Sequence, residues 1–171
     1  SFNVQVTVEN PSGIDTGSIN IEVLRGRQSI SFQQPLAGLR YGSSPIDLNA
    51  SATSDLPVSF EIVSGSQAVD LNGSRLSIKG PGMVGIKVSQ AGNGNWLPAK
   101  NVLRQIQIGK AELVIKADNQ FRKTGEPNPD LTYDLTGFVN GENNSSLLSP
   151  VNITTVANVG SPAGSYQIIP Q

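Results

Sequence analysis

The feature that most limits the fold of this chain is a two-residue hydrophobic period, recurring in short runs from one end to the other. Phe2, Val4, Val6 and Val8 alternate with Asn3, Gln5, Thr7 and Glu9, the pattern of a strand with one apolar face. Ile19, Ile21 and Val23 repeat it, then Ile30 and Phe32, Ile46 to Ala50, and Val58 to Ile62. Val69 to Leu71, Leu76 and Ile78, Val84 to Val88 and Val102 to Ile108 follow. Past Ala111 come Leu113 to Ile115, Leu131 to Leu135, Val151 to Thr155, and lastly Tyr166, Ile168 and Pro170. No stretch sustains a helical period over about 11 residues. The chain is expected to be all-β with almost no helix.

Turn signals divide these runs. Pro11-Ser12-Gly13 separates the first two, which are expected to pair as a hairpin. A lone hairpin is marginal in water, so this one calls for a partner sheet. Asn72-Gly73, between alternating apolar residues, is the strongest short hairpin signal, because both residue types tolerate positive φ. Residues 28–109 hold about seven short strands with turns every 8–12 residues, the spacing of an immunoglobulin-like sandwich. Residues 110–171 show fewer strands than a closed sandwich uses.

Composition narrows the function. Hydrophobic residues make up 37% of the 171 and charged residues 15%, leaving Gly, Pro, Ser, Asn and Thr to build turns. The net charge is -1, and the scattered basic residues offer no field for nucleic acid or an anionic membrane. No apolar run reaches the roughly 20 residues that span a bilayer, so no membrane insertion is expected of this segment. No signal peptide opens the chain, and one is expected to lie outside it. With no His and no Cys, imidazole-based triads, thiol nucleophiles, disulfides and zinc sites have no ingredients. Neither a G-x-S-x-G nor an S-x-x-K motif occurs. Glu61, Asp70, Glu112 and Asp130 stand singly on strands and loops, as solvated carboxylates do. The chain is expected to be no enzyme, with no catalytic, cofactor or metal residues.

Several weaker patterns bear on binding. Oxygen-rich stretches at Asp118-Asn119-Gln120, Asn128-Pro129-Asp130 and Asn140 to Asn144 could hold calcium, although none has the D-x-D-x-D-G spacing of a dedicated loop. Tyr41, Trp96, Phe121, Tyr133, Phe138 and Tyr166 could supply a sugar-stacking face or pack in cores. A Lys–Asn isopeptide bond among Lys87, Lys116 and Asn152 would need a buried acid that the sequence does not identify. Sequons such as those at Asn49, Asn72, Asn144 and Asn152 follow from a chain rich in Asn, Ser and Thr. The candidate ligand or interdomain contacts are Trp96, Asn93, Asn95 and Phe138. Trp96, in a Gly-Asn loop beside Pro98, is the first choice for an interdomain contact.

Two segments repeat. Arg40-Tyr41-Gly42, followed by Pro45 and an alternating strand, matches Arg122-Lys123-Thr124-Gly125 with Pro127, Pro129 and the strand from Leu131. Gly42 and Gly125 lie 83 positions apart, about one module. Each loop follows a strand that opens after a Gly-basic junction, Gly26-Arg27 or Gly109-Lys110.

Residues 111–171 resemble the MBG-type modules of large bacterial surface and adhesin proteins. The resemblance rests on Leu113 to Gln120, Gly125 with Pro129, Leu131-Thr132-Tyr133, Leu135 to Glu142 and Ser161 to Tyr166. Thr124 stands where such modules usually have Tyr. Residues 28–110 are similar to the bacterial immunoglobulin-like repeats that neighbour such modules. The markers are Ser29 to Phe32, Tyr41-Gly42, Leu56-Pro57-Val58, Gly80-Pro81-Gly82 and Ser89 to Asn93 with Asn95-Trp96. The resemblance implies three segments. These are a terminal hairpin of a preceding module at 1–27, an immunoglobulin-like sandwich at 28–109, and an MBG-type module at 110–171, truncated at its C-terminus. It also implies an extracellular location, on the bacterial surface or secreted, and no catalytic residue. The expected role is a structural spacer in an adhesin. The alternative is a module binding carbohydrate or protein through the loop aromatics. Expected partners are neighbouring modules of the same chain, a glycan or a host surface protein, and a second molecule if the hairpin is exchanged between copies.

Overall fold

A computed structural model describes residues 2–171, with backbone alone at 2–6, 8–10 and 14–20. The fold is all-β and sandwich-like; the described residues contain fourteen strands and one short 3-10 turn at Asn144–Ser146. β1 (Phe2–Asn10) and β2 (Gly13–Ile21) pair antiparallel around Pro11-Ser12, so the expected hairpin forms. The second strand opens at Gly13 rather than Ile19 and leaves Val23 beyond its end. The tight two-residue turn starts pairing at once, a constraint that side-chain alternation does not carry. The face presented by Phe2, Val4, Val6 and Val8 lies outside the described side chains.

The strands between Ile30 and Ile108 pack around one core and form the main sandwich. β3 (Ile30–Ser31) pairs with β5 (Ser51–Ala52), a strand too short to show a period. β4 (Ile46–Asp47), β8 (Arg75–Ile78) and β7 (Val69–Asn72) form one three-stranded sheet; β10 (Val102–Ile108), β9 (Gly82–Ser89) and β6 (Ser59–Ser64) form another. Their inward residues meet in one cluster, with Leu76, Val84, Ile86, Val88 and Ile108 fully buried. Each such side chain contributes about 1.5–3 kcal/mol relative to exposure. Phe32 joins this core from just past β3, edge-on to Phe60 with centroids 5.7 Å apart. Arg104 fixes that corner: its guanidinium lies 4.8 Å over the Phe32 ring and donates to the carbonyls of Phe32 and Gln34 at 3.2 and 2.7 Å.

The β7–β8 hairpin forms where expected but one residue later. Asn72 pairs with Arg75, so the central residues are Gly73 and Ser74. Gly73 has φ 62° while Ser74 is not at positive φ, the pattern of a type II′ turn rather than a type I′ turn centred on Asn-Gly.

Past Gly109 the packing changes. β11 (Val114–Ala117) pairs with β12 (Tyr133–Thr136), and β13 (Ile153–Thr155) pairs with β14 (Ile168–Pro170). The strands alternate, but their inward residues are only half-buried, and no hydrophobic side chain in 110–171 joins the fully buried set. The loop glycines matched in sequence also match in backbone, with φ 91° at Gly42 and 85° at Gly125.

Candidate functional site

Two places merit description: the attachments on either side of the main sandwich, and a cleft in the C-terminal region.

The first attachment is the turn at Gln90–Leu97. The Asn93 side-chain oxygen accepts from the Asn95 and Trp96 amides at 2.8 and 3.0 Å, and the Asn93 amide donates to the Trp96 carbonyl at 2.9 Å. Asn93 therefore builds the loop, with its acceptor engaged inside it. The exposed Asn95 contributes its carbonyl, which receives the Gly26 amide at 2.7 Å; the Leu97 amide donates to the Gly26 carbonyl at 2.8 Å. Trp96, half-buried, packs against Gly26: a Cβ there would meet the indole at 2.7–2.8 Å. Of the four candidate residues, Asn95 and Trp96 thus touch the segment that enters the sandwich, and Asn93 shapes the turn that presents them.

An amide network locks this turn. Gln90, buried, accepts from Gln28 Nε2 at 2.7 Å and from the Gly92 amide, and donates to the Pro57 carbonyl at 3.3 Å. Gln28 also donates to the Leu97 carbonyl at 2.7 Å and accepts from the Ser54 hydroxyl. The Gln-Ala-Gly-Asn motif is thus a structural latch. Its glutamine was the missed residue, and its signal was a long polar side chain at the end of an alternating apolar strand.

Phe138 is half-buried and stands next in sequence to Val139, a residue of the other attachment. Gly109 bridges to Arg40: its amide donates to the Leu39 carbonyl at 2.8 Å, and the Tyr41 amide donates to its carbonyl at 2.9 Å. Arg40 pairs with Glu112 at 3.4 Å, both largely exposed, which limits the pair to about 0–1 kcal/mol. Beside half-buried Phe138, Val139 seats on Gly42, where a Cβ would come within 2.5 Å of its methyl. Nothing in the sequence joined Gly42 to Val139, because the contact links two loops almost a hundred positions apart.

The oxygen-rich stretches have local work. Asp118 accepts from the Thr132 hydroxyl at 2.7 Å, Asn143 caps the 3-10 turn, and Asn140 takes a positive φ of 53°. Among the described residues no three acidic side chains converge.

The cleft, about 580 Å³, opens between the β11–β12 loop, the end of β13 and the segment leading into β14. Phe121 stands on its lip, 89% exposed. Tyr166 lines it with its hydroxyl donating to the Pro162 carbonyl at 3.0 Å. Arg122 braces the wall, donating to Asn128 Oδ1 at 2.8 Å and to the Asn158 carbonyl at 2.5 Å.

Residues 113–171 match the family model of the MBG domain (YGX type). The match supports that part of the sequence resemblance and is consistent with a module of a bacterial surface protein. The chain's one Tyr-Gly pair, Tyr41-Gly42, lies outside the matched residues. No curated protein and no solved structure matches the chain.

Proposed function

We propose that the chain is a spacer segment of an exported bacterial adhesin, built from tandem immunoglobulin-like and MBG-type modules, which holds other parts of that protein away from the cell. The observation that carries this reading is the form of the two attachments. Each linking glycine, Gly26 and Gly109, is fixed by two main-chain hydrogen bonds to the sandwich it enters or leaves. Main-chain clips of this kind restrict bending at a linker that would otherwise swing freely. The Val139–Gly42 seat adds a packed contact at the second junction. The MBG-domain match supports the surface setting.

Small-angle scattering of the full chain tests it. The expected distance distribution is elongated and narrow. Val139→Lys, which cannot keep its seat against Gly42, should broaden the distribution, while the exposed Arg40→Glu should change it little. A compact globule, or a wild type as broad as the Val139 variant, would remove the spacer reading.

A further inference from the structure

We infer that the cleft of the C-terminal region is a binding site for a neutral oligosaccharide. It is separate from the Asn93–Trp96 turn and from Phe138, and independent of the spacer role.

Four observations lead there. The volume, about 580 Å³, falls in the range of roughly 300–1,000 Å³ typical of small-ligand sites. At 89% exposure, Phe121 is the most exposed aromatic ring among the described residues. The loop could have turned that ring toward the half-buried apolar residues of its own module, yet it stands at the lip of the cleft. Tyr166 offers a second ring whose hydroxyl is tied back to Pro162, which holds its orientation in advance of any ligand. Stacking on the apolar face of a sugar needs such a preset aromatic surface.

The polar lining decides the ligand's charge. The cleft holds one acid, Asp118, and one base, Arg122. Asp118 is engaged by Thr132, and Arg122 by Asn128 and Asn158. With the two charges balancing, the cleft carries no net charge to favour an anionic or a cationic ligand. What remains on the walls is amide and hydroxyl chemistry, from Asn119, Gln167 and Ser165, which suits the hydroxyls of an uncharged sugar. An aliphatic ligand would leave these groups without partners, which disfavours it.

The test is a titration of the full chain, followed by amide NMR, with cellotetraose, maltotetraose, chitotetraose and a β-galactotetraose. A galacturonate tetramer and an anilinonaphthalene sulfonate dye serve as charged and apolar controls. At least one neutral sugar should move the resonances of Asn119, Phe121 and Tyr166 in a saturable way. Phe121→Ala should weaken that binding about tenfold, equivalent to 1.4 kcal/mol. Because the ring is exposed, this variant should keep the wild-type spectrum elsewhere, so lost binding cannot be confused with lost folding. The inference is overturned by silence across the four neutral sugars, by binding that survives Phe121→Ala unchanged, or by binding of the charged sugar or dye alone.

Discussion

At the scale of single residues, two positions carry more than their types suggest. Gly26 is required by space rather than by backbone angle, since it is not at positive φ and the indole of Trp96 occupies the place a side chain would take. Gly26→Ala should push Trp96 outward, costing about 1–3 kcal/mol and shifting its emission to longer wavelength. Trp96 is the one tryptophan in the chain, so fluorescence reads this contact alone; unchanged emission would show the ring is not seated there. Gln90→Leu should destabilise by about 1–3 kcal/mol, because Gln28 and the Gly92 amide lose a buried acceptor. Urea unfolding checks it. The sequence singled out Trp96, Asn93 and Asn95 as a turn but held no sign that Asn93 spends its oxygen within that turn. Such a partner is fixed only when the loop closes.

At the scale of elements, the alternating pattern located nearly every strand, since period-two burial is what a strand with one core face requires. It failed at β5 and not at the equally short β3 and β4, whose apolar alternation runs on past their paired residues. β5 has two residues, too few for any period, and exists because β3 supplies its partner. The β7–β8 hairpin shows the other weakness, since turn residues locate a hairpin better than they fix its register. With Gly73 at φ 62° as the first central residue, Gly73→Ala should cost about 1–2 kcal/mol. Asn72→Thr, at a strand position, should be close to neutral. Thermal unfolding of the two variants distinguishes the registers, and a larger loss at Asn72 would favour an Asn-Gly turn.

At the scale of the whole molecule, burial is uneven. The main sandwich encloses a core of fully buried aliphatic residues, whereas the region after Gly109 encloses none. Regions with few buried contacts open at lower free energy. Hydrogen exchange should therefore be slowest in β9 and β10 and much faster in β11 to β14; equal protection in the two would contradict this account. The all-β class, the strand sites, the paired loop glycines and the MBG-type character of the C-terminal region were legible in the sequence alone. Each is a local property, expressed as a two-residue period, a backbone angle or a short ordered motif. What only the tertiary structure decided are the meetings between distant segments. Gly26 under Trp96, Gly42 under Val139, the latch at Gln90, and Phe121 and Tyr166 on one cleft all join residues separated by tens of positions. No local pattern encodes them, because each depends on which loops the two sheets bring together when their apolar faces close.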